Sequence, residues 1–238
     1  MWGSVVDGQV LTFRLTGINN QNFVMQDEQT GSWWQQVSGE AILGPLKGKK
    51  LTLVTADQLT FDTWRAESPR GRVLAPDAAI VAKGGYAPID WEVRMARNRV
   101  PTAAGAAAAA DARMQPRTLV IGVEQRGEAR AFPVEHVKAA SVVLDEVGGT
   151  PLAIVRAPDG RSTRVFDRRL GSDQIELFAK VDSTPFRLVD AHTGSEFDFT
   201  GTAVAGPLAG RVLARIPFLE EYWFDWKNYH PNTDLARQ

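Results

Sequence analysis

The chain has 238 residues, of which 44% are hydrophobic and 23% charged, with a formal net charge of −1 at pH 7. Such a length can bury one large or two small cores, and the near-neutral balance lacks the basic footprint that nucleic-acid binding needs, so no nucleic-acid partner is expected. No apolar run is long enough to span a bilayer and no basic-then-apolar signal segment opens the chain, while the lack of cysteine excludes disulfides, thiolate nucleophiles and cysteine-ligated metals.

Residues 5–15 read as two short strands about an Asp7-Gly8 turn, since Asp-Gly favours the positive φ of a tight hairpin. Gly17 to Asn22 reads as a polar turn, and Phe23-Val24-Met25 as a strand leading into Asp27-Glu28-Gln29-Thr30-Gly31-Ser32-Trp33-Trp34. This stretch reads as a hairpin: the Asp27 carboxylate can accept from main-chain N–H groups just ahead of it, and Gly31 supplies a left-handed conformation. Trp33 and Trp34 then fall on opposite faces of a strand, one buried and one near the surface. Gly44-Pro45-Leu46-Lys47-Gly48 is a second turn, with Leu51, Leu53 and Val54 forming a further strand. Thr60 to Ser68 reads as a short helix capped by Thr60, with Phe61 and Trp64 on one face and Pro69 ending it.

Residues 76–116 change character. Pro76, Gly84-Gly85, Pro88 and Pro101 interrupt them, and residues 103–112 are nearly all alanine. A short alanine run with nothing to bury gains no packing, so this stretch reads as a linker, with Trp91, Val93 and Met95 alternating as a strand would. Beyond it, residues 117–123 and 128–134 are strands, Pro133 opens a helix through Ala140, and residues 142–147 and 152–155 are strands about the Gly148-Gly149 turn. Asp159-Gly160 is read as the counterpart of Asp7-Gly8, with Phe166 placed like Phe13 and extra residues before Phe186. Leu219 to Tyr229 is read as an aromatic helix carrying Tyr222, Trp223, Trp226 and Tyr229, ended by Pro231.

The hairpin occurs twice. Asp190-Ala191-His192-Thr193-Gly194-Ser195-Glu196-Phe197 repeats Asp27–Trp34, and Gly206-Pro207-Leu208-Ala209-Gly210 repeats the second turn. Leu51 matches Leu213, Trp64 matches Trp226 and Pro69 matches Pro231, each 162 positions on (213 − 51, 226 − 64, 231 − 69). About a dozen identities fall in roughly fifty aligned positions, mostly residues that set turns or anchor cores. The expected fold is therefore a β-rich α+β tandem: residues 1–75 as a first, incomplete unit, 76–116 as the linker and 117–238 as a second unit. The first unit lacks a counterpart of residues 117–155, so the chain is read as starting inside it, with an unpaired sheet edge.

The candidate functional residues are those shared by the copies and those gathered near the aromatic helix: Asp27, Thr30, Ser32 and Trp64 in the first, and Asp190, His192, Thr193, Ser195, Trp223, Trp226 and His230 in the second. The histidines have no counterpart in the first copy, where Gln29 and Ser68 stand in place of His192 and His230. Asp190, His192 and His230 could converge on a metal, but no two-histidine helical motif or cysteine pair demands one, so no metal is assigned. Ser32 and Ser195 follow a glycine without the Gly-x-Ser-x-Gly elbow of an acyl-transfer nucleophile, and no carboxylate pair stands out. Arg168-Arg169 and Lys47-Lys49-Lys50 read as solvated faces. A propeller built on Asp-x-x-Thr-Gly-Ser-x-Trp would need that turn every 40 to 50 residues or so, not once in 163 (190 − 27).

Ala131-Phe132-Pro133, Asp145 with Gly148-Gly149, Asp190 to Ser195, Gly206 to Gly210, and Trp223, Trp226, His230 and Pro231 follow one another in an order that resembles the prokaryotic family known as domain of unknown function 3179. The resemblance implies a Cys-Pro-x-Cys motif where this chain has Ala157-Pro158-Asp159-Gly160, and a histidine where it has Ala140. Paired cysteines with a nearby histidine would suit redox or metal chemistry, which these positions have lost. The resemblance also implies an envelope or exported location. Together these residues read as a non-catalytic binding or scaffolding protein for a small-molecule or protein partner, of no assigned cofactor. The competing reading is a redox or metal-dependent enzyme sited at the hairpin and the aromatic helix.

Overall fold

The computed structural model describes residues 1–19, 22–84, 90, 93, 94, 97, 111 and 113–236; Trp91, Met95 and nearly all of the alanine run lie outside them. The elements are β1 (Val5–Val6), β2 (Gln9–Val10), β3 (Phe13–Asn19), β4 (Asn22–Asp27), β5 (Trp33–Gln35), β6 (Ala41–Leu43), α1 (Phe61–Glu67) and α2 (Ala78–Ala82). There follow β7 (Leu119–Gln125), β8 (Glu128–Pro133), α3 (Val134–Ala140), β9 (Val142–Val147), β10 (Thr150–Arg156), β11 (Thr163–Asp167), β12 (Arg169–Leu170) and β13 (Asp173–Gln174). The chain ends with β14 (Leu177–Ala179), β15 (Leu188–Asp190), β16 (Glu196–Phe197), β17 (Ala203–Ala205), β18 (Leu219–Tyr222), α4 (Trp223–Tyr229) and β19 (Asp234–Leu235). It is a β-rich α+β protein of small sheets and short helices, and no helix among the described residues is long and apolar enough to cross a membrane.

Two four-stranded antiparallel meanders, β3-β4-β5-β6 and β14-β15-β16-β17, carry the same turn. In the first, the Asp27 carboxylate accepts the Thr30 N–H at 2.5 Å and the Thr30 hydroxyl at 2.9 Å, and Thr30 Oγ1 lies 2.6 Å from Ser32 Oγ. In the second, Asp190 accepts the Thr193 N–H at 2.9 Å and its hydroxyl at 2.8 Å, and Thr193 Oγ1 lies 2.8 Å from Ser195 Oγ. Each serine then accepts a main-chain N–H from the following turn, Leu46 on Ser32 and Leu208 on Ser195, both at 3.0 Å. Gly31 and Gly194 adopt the expected left-handed φ of 71° and 68°. Trp34 is fully buried while Trp33 is 38% exposed, as strand alternation requires.

The register of the first segment differs from the sequence reading. Asp7-Gly8 joins β1 to β2, and its counterpart is the Gly171 turn joining β12 to β13, not Asp159-Gly160. Leu11 N–H bonds to Ser4 O as Ile175 N–H bonds to Arg168 O, and Phe13 pairs with Asp27 as Leu177 pairs with Asp190. The counterpart of Phe166 is Trp2: Trp2 bridges to Leu53 as Phe166 bridges to Arg215. An Asp-Gly pair marks a tight turn without saying which strands it joins, which is why local identity misaligned it. No extra loop therefore precedes Phe186. Of residues 51–54 only Leu53 makes an isolated bridge, to Trp2, and they form no strand, while Gly17 to Asn19 and Asn22, read as turn, lie in β3 and β4.

The last aromatic segment also differs. Leu219–Tyr222 is a strand paired antiparallel with β7, and the helix begins only at Trp223. An open edge of β7 offers main-chain partners to residues 219–222, and tertiary pairing overrides the helical spacing of their aromatic side chains. α1 meets expectation, with Thr60 accepting from Thr63 N–H as N-cap and Ser68 closing it. It docks on the second half: Thr60 and Thr63 hydroxyls donate to Asp159 at 2.8 and 2.9 Å, and Gln58 bridges to Thr163 of β11.

The glycines facing each serine test the hairpin. At Gly44 and Gly206, φ is +97° and +87°, and an added Cβ would stand 2.7 Å from the Cα of Ser32 or Ser195. Gly44→Ala and Gly206→Ala are expected to cost more than about 1 kcal/mol each in urea denaturation. Gly48→Ala and Gly210→Ala, also at positive φ but with open space around the new Cβ, are expected to cost less. Equal losses in the two pairs would contradict a close approach to serine.

Candidate functional site

The structure places the hairpin residues in two closed networks. Burial alone would raise the Asp27 carboxyl, but donors from the Trp34 indole, Thr30 and Ser32 outweigh it and hold it below the usual carboxylate range. The indole N–H bond is 2.8 Å long. At Asp190 burial is likewise outweighed by the Glu176 N–H, Thr193 and His192 main-chain contributions. The Glu176 bond, at 2.9 Å, takes the role that the Trp34 indole plays in the first hairpin, since Phe197 stands there and has no donor. Both aspartates are 1% exposed, with their oxygens committed to the turn. Thr30, Ser32, Thr193 and Ser195 are thus structural clamps.

The remaining sequence candidates separate. His192 is largely exposed, with Nδ1 3.8 Å from Asp190 Oδ1. Trp64 sits on α1, tilted against Phe61 with ring centroids 5.5 Å apart. Among the described residues no group of three or more His, Cys, Asp or Glu side chains gathers in a metal-holding arrangement, so Asp190, His192 and His230 do not meet at one. Trp223 is fully buried beneath the Arg113 guanidinium, 5.2 Å from the ring centroid. Trp226 and His230, in contrast, stack at 3.7 Å and line a cavity.

That cavity, of about 500 Å³, lies between the two halves. Trp2, Gln35, Lys50, Leu51 and Leu53 come from the first; Glu124, Phe218, Glu221, Trp226, Tyr229 and His230 come from the second. Gly122 of β7 makes it possible for Trp226 to lie flat on the sheet, because a Cβ there would fall 2.3 Å from the indole. The Trp226 indole N–H is tied to Thr233 Oγ1 at 2.9 Å. Asn22 of β4 joins the halves just behind the wall, donating to both Asp225 oxygens at 2.8 and 2.9 Å.

The titrating groups around the cavity are displaced. Burial, reinforced by the neighbouring Asp225 charge, pushes the Glu221 carboxyl up to about 7. Burial pushes Asp225 up to about 6 against the opposing bond from Asn22. Tyr229, desolvated and near both acids, is raised to about 12. Burial lowers His230, with Glu124 opposing and Lys50 assisting, so its imidazole is neutral at pH 7. Among the described residues Glu221 Oε2 has no hydrogen-bond partner, and it is sealed from solvent. Sequence reasoning did not single out Glu221, Asp225 or Tyr229 as site residues, because the groups that bury them come from the far end of the chain. Their one visible signal was acids placed among the five aromatic residues of positions 219–229.

Folding raises both carboxyls above their ordinary values of 4.5 and 3.8. At these two carboxyls the native state therefore holds more protons than the unfolded chain from about pH 4 to 7, and their contribution to stability falls as pH rises through that window. Glu221→Gln removes one ionisation, so it is expected to raise stability at pH 8 by roughly 1–3 kcal/mol and to change it little at pH 4.5. Urea titrations of both proteins at the two pH values measure this; the same shift at each pH would contradict it.

No curated protein and no solved structure matches the chain. A family model, described as protein of unknown function (DUF3179), matches residues 1–233. The chain belongs to that family.

Proposed function

We propose that this protein is a non-catalytic binding module that takes a small molecule into the cavity between its two halves. The observation that carries this reading is the wall itself: aromatic and aliphatic surfaces from both halves surround a few polar groups, among them a carboxylate with an unpartnered oxygen. Ligand sites combine a mostly apolar concave surface with a small number of orienting polar groups and displaced ionisation equilibria. The matching hairpin networks support reading residues 1–75 and 117–238 as two related units joined by 76–116, with the ligand held where they meet.

A fragment set screened by ligand-observed NMR tests this. Binders are expected to perturb the indole signals of Trp2 and Trp226, and Leu53→Trp, which fills the cavity mouth, is expected to weaken them at least tenfold. Binders that leave those indoles unmoved and tolerate the plug, or no binders at all, would overturn the reading.

A further inference from the structure

We propose that the cavity selects a cation: an ammonium group carried on an apolar, preferably aromatic body. This rests on the ligand-binding reading above and assigns the chemistry of its ligand. Glu221 is the anchor. Its Oε2 is closed off without a donor among the described residues, so the carboxylate is open to compensation from the side that lines the cavity. Asp225, whose charge opposes that of Glu221, has both oxygens on Asn22.

The other charged groups around the cavity leave this vacancy open. Lys50 is exposed, its charge acting on His230 and making no ion pair with Glu221 among the described residues, while Glu124 stands half-exposed, its carboxylate 3.8 Å from His230 Nδ1. The neutral imidazole of His230 is stacked on Trp226. Trp226, Phe218, Leu219, Leu51 and Leu53 supply apolar surface next to Glu221. A carboxylate in such surroundings is costly unless a cation pairs with it. A hydroxyl would satisfy an oxygen and leave the charge; an ammonium answers both, and its hydrocarbon body covers the apolar wall. An anion would meet Glu221 and Glu124.

Three compounds that share an indole and differ in their terminal group separate the cases: tryptamine, tryptophol and indole-3-propionate. Isothermal titration at pH 7 in two buffers of different ionisation enthalpy, with wild type, Glu221→Gln and Leu53→Trp, reads affinity and proton exchange together. Tryptamine is expected to bind wild type at least tenfold tighter than tryptophol, to release protons as Glu221 ionises, and to lose that advantage in Glu221→Gln, whose fold the urea titration checks. Equal or tighter binding of tryptophol or indole-3-propionate overturns the cation proposal, and if Leu53→Trp still abolishes that binding the cavity reading survives. No binding of any of the three to wild type also overturns it, leaving the fragment screen to decide the cavity reading.

Discussion

Arg164 holds the two halves of this protein in register. Its guanidinium is 2% exposed, donates to both Glu67 oxygens at 2.7 and 2.6 Å and to Asp57 at 2.8 Å, and lies 4.6 Å from the Phe199 ring centroid. Arg215 closes the network on Asp57. Glu67 and Asp57 belong to the first half, Arg164 and Arg215 to the second. A buried cation stripped of such partners is left uncompensated, which costs several kcal/mol, so α1 and the segment before it are pinned to β11. The cavity wall inherits that constraint: Leu51, Leu53 and the Asn22–Asp225 bond keep their places only while the halves do.

The paired hairpins show what a turn requires and what it leaves open. Each needs a buried aspartate, a threonine and a serine in one chain of hydrogen bonds, with a glycine packed on the serine where no Cβ fits. The last acceptor site on the aspartate is negotiable. Trp34 fills it in one case and a main-chain N–H of Glu176 in the other. Complete satisfaction of a buried carboxylate is the fixed demand, and it depresses both aspartates below their ordinary range. Glu221 is the opposite case within the same chain, a carboxylate raised because burial came without donors.

That contrast explains which parts were legible in the residues. Turn chemistry is local, so Asp27 to Ser32, the Thr60 cap and the split fates of Trp33 and Trp34 followed from residue types and spacing. The β-rich character did as well. Strand partnership is not local: whether residues 219–222 coil or pair depends on the free edge of β7, about a hundred residues earlier (219 − 119). Asp7-Gly8 shows the same limit, because one dipeptide serves any tight hairpin. The cavity was the least legible feature, since Trp2 and His230 share it across nearly the whole chain.

The position of the unsatisfied group then becomes the informative fact. Asp27, Asp190 and Asp159 show buried carboxylates surrounded by donors where the fold alone is at stake. Glu221 is the one carboxylate among the described residues with a sealed, unpartnered oxygen, and it falls on the wall of the cavity. A glutamine there would keep the shape and relieve the cost of ionisation at neutral pH. The retained charge is thus a penalty borne by the empty protein and removed when a cation arrives, so the free energy lost in folding reappears as discrimination between ligands.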